Sequence, residues 1–115
     1  MDARSIELTI KALDGLNTRA VVTAQNIANA GTPGYRPMRV TFEDALAAAA
    51  TRGSAAIRTV EPRIEPAEIP RVGDPGLRLD LELATASSTA LRYSAILDVL
   101  GRQLQTQDLA ITGNR

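Results

Sequence analysis

Side chains that could carry out chemistry are few in this sequence and are poorly placed for it. Histidine and cysteine are absent, which removes the usual zinc ligands, thiol nucleophiles and imidazole bases. The close carboxylate pairs are Glu43 with Asp44 and Asp80 with Glu82, and residues one or two positions apart do not face each other on a helix. The hydroxyl groups of residues 87–89 have no base beside them. We therefore expect no enzyme activity and no metal or other cofactor.

The charge pattern argues against several classes of partner. The chain of 115 residues carries 13 basic and 13 acidic side chains, and both signs are spread along it. A nucleic acid or an anionic membrane is usually bound by a basic patch, so neither is expected. Gly31 and Gly34 have part of the spacing of a phosphate-binding loop but lack its lysine. We therefore expect no small-molecule substrate.

The prolines divide the chain into three segments. All six lie between Pro33 and Pro75, and proline disrupts a helix interior. The segments are an N-terminal arm (residues 1–32), a middle (33–76) and a C-terminal arm (77–115). We predict one discontinuous, mainly α domain. Its two arms form long amphipathic helices that pair as a coiled coil, and its middle is proline-rich and partly disordered.

Apolar residues recur in both arms at alternating spacings of three and four, the pattern of a coiled-coil seam. Gly31 followed by Pro33 predicts the end of the first helix, and we expect the second helix to begin between Leu79 and Leu83. The N-terminal seam contains Ile6, Ile10, Leu13, Ala20, Ala24 and Ile27. The C-terminal seam contains Tyr93, Leu97, Leu100, Leu104 and Ile111.

Further apolar residues beside each seam, such as Leu16, Val21, Leu91 and Ile96, favour contacts with additional helices. Two helices with one seam bury too little apolar surface to offset the entropy of ordering them. Either the chain folds back into a helical cluster of its own, or its folding is coupled to assembly with other chains.

The middle segment gives weaker signals. Residues 41–44 resemble a capping box that opens a short alanine-rich helix ending before Gly53. From residue 55 to residue 76, prolines recur every few positions among charged residues. This composition predicts extended, poorly ordered chain, with one short strand near Ile57–Val60.

One run of residues resembles a known family. Residues 26–35 read Asn-Ile-Ala-Asn-Ala-Gly-Thr-Pro-Gly-Tyr and follow an N-terminal amphipathic helix. This run closely resembles the N-terminal signature of bacterial flagellar rod and hook proteins. Residues 40–43, 79–82 and 90–93 resemble segments of the FlgB-type basal-body rod protein of the proximal rod. The resemblance covers both arms and leaves residues 44–76 unmatched.

This resemblance implies a structural subunit of the flagellar basal-body rod. Such subunits polymerise through coiled-coil helix packing and form part of the periplasmic drive shaft and export channel. They are exported by the flagellar type III apparatus without a cleaved signal peptide. The implied partners are other rod proteins, the rod-junction protein, the membrane-embedded ring, the type III export gate and copies of the chain itself.

Two alternatives stay open. Within the family, the neighbouring small proximal rod protein has a similar size. From another class, a cytoplasmic helical export chaperone or adaptor also needs amphipathic helices, although it does not need the turn of residues 32–35.

The family motif supplies candidate subunit contacts. Asn26 and Asn29 share one helix face, where their amides would either bond a neighbouring subunit or only cap the helix end. Pro33 and Gly34 predict a type II turn with positive φ at Gly34. The aromatic members either pack this turn onto the helices or dock into an adjacent subunit, whereas Tyr93 is expected in the core. The candidate contacts are Asn26, Ile27, Ala28, Asn29, Thr32, Pro33, Gly34, Tyr35 and Phe42.

Overall fold

The computed structural model describes residues 2–68 and 79–113 and is mainly helical. Two long helices, one at each end, pack against each other, as the spacing of apolar residues predicts. They run antiparallel, since Asn26 near the end of the first contacts Glu82 near the start of the second. The elements are α1 (Ala3–Ala28), β1 (Met38–Thr41), α2 (Glu43–Ala50), α3 (Ser54–Arg58), β2 (Arg63–Pro66) and α4 (Leu79–Thr112).

Helix α1 is capped by side chains at both ends. The Asp2 carboxylate accepts a hydrogen bond from the Ser5 backbone N–H at 2.8 Å, which satisfies one of the free donors of the first turn. The prediction that Gly31 ends the helix is wrong, because α1 ends at Ala28 with Asn29 as its C-cap. The Asn29 side-chain amide donates to the carbonyl of Gln25 at 2.8 Å, so an asparagine supplies the cap in place of glycine.

The middle segment contains a two-stranded hairpin that encloses two short helices. Strands β1 and β2 pair antiparallel, from Met38 opposite Pro66 to Thr41 opposite Arg63. The prediction of a strand near Ile57–Val60 is wrong, because Ile57 lies in helix α3, where its side chain is fully buried. Pro66 is tolerated in β2 because it stands at the last position of a strand on the edge of the sheet.

Helix α2 confirms the predicted alanine-rich helix, but not its capping box. Phe42, not Thr41, is the N-cap residue, and no side chain makes a capping hydrogen bond there. Instead, Glu43 and Asp44 place negative charge in the first turn, where it interacts favourably with the helix dipole. Of residues 55–76, predicted to be extended and poorly ordered, residues 55–58 belong to α3 and residues 63–66 form β2. Residues 69–76 lie outside the described residues.

The hydrophobic core is built from α1 and the middle segment. Residues 2–68, called here the N-terminal unit, supply every buried apolar side chain among the described residues. From α4, only Tyr93 and Ile96 pack against this core, and both are half-buried. The core cluster consists of Leu16, Val22, Val40, Phe42, Leu46, Ala49 and Ile57.

The predicted seams do not form the buried centre of the contact between α1 and α4. Helix α1 turns a different set of residues inward, namely Gly15, Leu16, Val22, Thr23 and Asn26. Of its predicted seam, Ile6, Leu13 and Ile27 are half-buried and Ile10, Ala20 and Ala24 are exposed. In α4, Tyr93 and Leu100 are half-buried, whereas Leu97, Leu104 and Ile111 are exposed.

Candidate assembly surface

The family motif folds into the turn that its sequence predicts. The backbone N–H of Tyr35 donates to the Thr32 carbonyl at 3.2 Å, and Gly34 has φ of 76°. These values are those of a type II turn with Pro33 at its second position. The predicted positive φ of Gly34 is therefore confirmed. Ala28, Thr32, Pro33 and Gly34 are all exposed, so these motif residues are accessible to another chain.

Asn26 joins four parts of the molecule and is only 1% exposed. Its Nδ2 donates to the carbonyl of Met38 at 2.9 Å and to the carboxylate of Glu82 at 3.1 Å. Its Oδ1 accepts from the Met38 backbone N–H and from the Tyr35 hydroxyl, both at 3.0 Å. The amide thus pairs with both backbone groups of Met38 and covers that edge of β1, as a neighbouring strand would.

All four hydrogen-bonding positions of the Asn26 amide are used inside the chain. The expected contact between this amide and another subunit is therefore replaced by an internal role. Asn29 is also used locally, because its Nδ2 caps α1 and its Oδ1 accepts from the Thr32 hydroxyl at 3.1 Å. Of the two interpretations of these asparagines, the structure favours the local one.

The two aromatic residues of the motif pack inside the chain. Tyr35 is half-buried and closes the turn onto Asn26. Phe42 is buried, and its ring lies directly against the backbone of α1 at Gly15. A Cβ atom at Gly15 would stand 2.5 Å from this ring, so only glycine leaves room for Phe42. The role of Gly15 cannot be inferred from the sequence, because nothing in the sequence indicates that the Phe42 ring packs against it.

Arg19 is a second residue whose role sequence reasoning missed. Its guanidinium binds both carboxylate oxygens of Glu43, at 2.7 and 2.8 Å, and the Val40 carbonyl at 2.8 Å. It also lies 5.0 Å from the centroid of the Phe42 ring, within the range of a cation–π contact. The hydrogen bonds from Arg19 lower the pKa of Glu43 to about 2. The contacts of Arg19 with Glu43, Val40 and Phe42 therefore hold α1 against the start of α2.

Three charged side chains of α1 bind the middle segment. Besides Arg19, Glu7 pairs with Arg58 at 2.7 Å, and the Lys11 ammonium donates to the Val60 carbonyl at 2.9 Å.

Each long helix carries two rows of residues spaced by seven on the side away from the middle segment. In α4, Ala86, Tyr93, Leu100 and Gln107 are half-buried beside α1, and the parallel row is exposed. That exposed row consists of Leu83, Ala90, Leu97, Leu104 and Ile111. In α1, the row Ile10, Asn17 and Ala24 is exposed, beside the row Ile6, Leu13, Ala20 and Ile27. We call these two exposed rows the heptad rows.

The heptad rows have the geometry of an incomplete helical bundle. Residues seven apart fall on nearly the same side of a helix, and in α1 this side is opposite to Gly15 and Arg19, which face the middle segment. A helix from another chain lying along α1 and α4 would contact both rows. Its knobs would enter holes formed by apolar or small side chains, with Asn17 as the one polar member.

The described residues show no alternative site with evident chemistry. A cavity of about 570 Å³ lies between β1 and α4, and the Arg19 and Glu43 side chains that line it are already bonded to each other. No group of three His, Cys, Asp or Glu side chains in residues 2–68 and 79–113 is arranged to hold a metal ion. Within the same residues, no helix has the length and apolar character needed to cross a bilayer. In comparisons with known proteins, neither a protein-family model nor a curated protein sequence matches this chain.

Proposed function

We propose that the chain is a structural subunit of the flagellar basal-body rod. In this role it polymerises through coiled-coil helix packing and forms part of the periplasmic drive shaft and export channel. The observation that carries the proposal is the pair of exposed heptad rows on α1 and α4, on the side away from the middle segment. A chain that acts alone gains nothing from rows of exposed apolar side chains along both of its longest helices.

The size of the heptad rows is compatible with assembly. Leu83, Leu97 and Leu104 are each about half exposed, and Ile111 is 75% exposed. Covering the remaining surface of each such side chain contributes about 1 kcal/mol. In a tubular assembly each subunit contacts several partners, so this gain is made several times. With a single partner, the free energy of one contact would have to offset the entropy lost on association.

The resemblance of residues 26–35 to the flagellar signature supports the same function. It adds the expected partners, which are other rod proteins, the rod-junction protein, the membrane-embedded ring and the type III export gate. It also adds the expected location in the periplasmic rod after export without a cleaved signal peptide. The neighbouring small proximal rod protein is the alternative within this family.

A cytoplasmic export chaperone or adaptor is the second candidate function, and a separate feature favours it. An apolar cavity of about 400 Å³ opens between α1, α2 and α4, where it could hold side chains of a client helix. Its lining includes Leu8, Ala12, Leu46, Ile96 and Val99. The motif turn argues against this candidate, since holding a client does not require an uncharged, exposed turn at Thr32–Gly34.

Cell fractionation separates the two functions. We expect the chain in basal bodies of motile cells, and in the cytoplasm of otherwise identical cells with an inactive type III export gate. Cytoplasmic retention in both strains would refute the rod function and favour the adaptor.

A matched pair of variants tests the heptad rows in the same assay. Leu97→Asp places a charge in the exposed row of α4, and we expect it to abolish incorporation into basal bodies. Leu91→Asp is the control, because Leu91 is 73% exposed but lies outside both rows. Equal incorporation of the two variants would contradict the role given to the rows.

A further inference from the structure

The two-stranded sheet has one edge against helix α1 and one edge away from it. The edge of β1 is covered by side chains of α1, because Asn26 bonds Met38 and Arg19 bonds the Val40 carbonyl. Among the described residues, β2 pairs with β1 alone, and we call its other side the outer edge. An uncovered strand edge offers unpaired backbone groups to an extended segment of another chain.

The register of the two strands fixes which backbone groups of β2 point to the outer edge. In an antiparallel pair, residues that bond the partner strand alternate with residues whose N–H and C=O point away from it. Met38 is of the second kind, because both of its backbone groups bond the Asn26 side chain. Its partner in the register is Pro66, so the backbone of Pro66 points to the outer edge. The next pair agrees, since the Ala67 N–H bonds the Pro37 carbonyl across the strands at 2.9 Å.

The outward positions of β2 recur at every second residue, and two of them are prolines. Counting back from Pro66, the outward positions are Ile64, which is opposite Val40 in β1, and Pro62, which immediately precedes the strand. Proline has no backbone N–H, so Pro62 and Pro66 offer no donor there. The Ile64 N–H is left as a single outward donor between two prolines, and no residue of 2–68 or 79–113 bonds it. One donor cannot support a continuous ladder with a further strand.

Apart from its prolines, the outer edge has properties that favour the addition of a strand. Ile64 is β-branched, which suits a strand, and its side chain is 51% exposed. The charged side chains of the strand, Arg63 and Glu65, pair with each other at 2.8 Å, so β2 has no net charge that would repel a second copy. Exposed β-branched residues and low net charge promote pairing between strand edges. The prolines are therefore the barrier that remains.

We propose that Pro62 and Pro66 close the outer edge of β2 and thereby prevent the hairpin from pairing with the hairpin of a second copy of this chain. Each edge of the sheet is then closed in its own way. Side chains of α1 occupy the edge of β1, and the absence of donors protects the edge of β2. The proposal concerns the hairpin alone and does not depend on the proposed function.

Replacing both prolines tests the proposal. Pro62→Thr with Pro66→Thr restores an N–H at each outward position and introduces residues that suit a strand. We expect this variant to associate through its strands. The infrared absorption of intermolecular β-sheet and the fluorescence of thioflavin T should both rise with protein concentration and exceed those of the parent chain. Packing between helices produces neither signal, so the readout is specific for strand pairing.

Arg63→Thr with Glu65→Thr is the matched control. It places the same two side chains in the same strand and leaves the net charge unchanged, but at positions whose backbone already bonds β1. We expect its infrared and fluorescence signals to stay at the level of the parent chain. Equal association of the control and the proline variant would show that the charged pair protects the edge, and would overturn the proposal. A folded proline variant with no sheet signal would overturn it as well.

Helical circular dichroism shows whether each variant is folded. If the double proline variant loses its helical signal, Pro66→Thr alone decides, because Pro66 is exposed and its replacement disturbs little packing. This single variant should still give more sheet signal than the parent chain, and no increase would overturn the proposal. Loss of helix in both variants would show that the prolines are needed for the fold itself, which would also overturn it.

Discussion

Leu16 and Leu97 lie on the two long helices of the same molecule, yet their side chains are 3% and 48% exposed. Leu16 is surrounded by the middle segment, with Phe42 and Leu46 in the same core cluster. Leu97 belongs to a row of apolar side chains that no described part of the chain covers. Helix α1 is thus a core element of the N-terminal unit, whereas α4 is attached along one edge.

The two regions also differ in how their polar groups are used. In the N-terminal unit, Asn26 makes four hydrogen bonds and Arg19 makes three. In α4 the buried residue is Thr89, a small side chain that contributes little apolar area. The N-terminal unit therefore buries a core within one chain, whereas most of the large apolar side chains of α4 are left about half exposed or more exposed than that.

The largest expected effect falls on the centre of the N-terminal unit. Asn26→Ala removes four hydrogen bonds, including those to the backbone N–H and carbonyl of Met38. We expect the free energy of unfolding to fall by about 4 kcal/mol, measured by urea denaturation. Asn29→Ala is the control, with an expected loss of about 1 kcal/mol, since it removes a more exposed cap. Equal losses would contradict the central role of Asn26.

A pair of glycine substitutions compares the two regions directly. Gly15→Ala drives a methyl group into the Phe42 ring, and we expect it to cost about 2–3 kcal/mol. Gly101→Ala in α4 meets nothing within 4 Å, and we expect it to add about 0.5–1 kcal/mol through its higher helix propensity. Thermal unfolding of both variants measures the difference. A comparable loss at Gly101 would mean that α4 is as tightly packed as α1.

Acid should weaken the N-terminal unit through Glu43. The pKa of Glu43 is lowered from 4.5 to about 2, so its ionised form stabilises the fold fully above pH 4.5. That contribution is lost as the pH falls toward 2, when the carboxylate protonates and releases Arg19. Because about half of the side chain is exposed, solvent screening limits the loss to about 1 kcal/mol.

Urea denaturation of the parent chain and of Glu43→Gln, at neutral pH and near pH 2, isolates this contribution. The variant should be less stable at neutral pH, and the difference between the two proteins should shrink in acid. A difference that stayed constant with pH would argue that the pair with Arg19 contributes nothing.

The smallest effect on single-chain stability is expected in the heptad row of α4. Leu97→Ser changes a side chain that is already half exposed, so the free energy of unfolding should fall by only about 0.5–1 kcal/mol. Assembly should nevertheless be lost, as judged by sedimentation, because Leu97 lies in the middle of the row. A large loss of monomer stability would show that α4 buries Leu97 in the isolated chain.

Spacing in the sequence was sufficient to predict both long helices, because the alternation of three and four marks any helix with an apolar side. It did not predict which side is buried inside the chain. The seam through Ile10 and Ala24 is regular, whereas the side that is buried contains Gly15, Arg19 and Asn26. These residues look unsuited to a core until Phe42, Glu43 and Met38 are placed against them.

The motif turn was predictable for a similar local reason. Pro33 fixes φ at one position, and Gly34 permits positive φ at the next, so the turn follows from two adjacent residues. The hairpin was not predictable, because the pairing of β1 with β2 joins residues 22 to 28 positions apart. The role of Glu82, which reaches Asn26 across 56 positions, was hidden for the same reason.

Native-state hydrogen exchange of the isolated chain tests the difference between the two regions most directly. We expect the amides of α1 from Leu16 to Asn26 to exchange only through global unfolding. The amides of α4 from Leu83 to Leu104 should exchange through an opening that costs about 2 kcal/mol less, and assembly should remove this difference. Equal protection of α1 and α4 in the isolated chain would contradict the account, because α4 would then be as firmly held as the core.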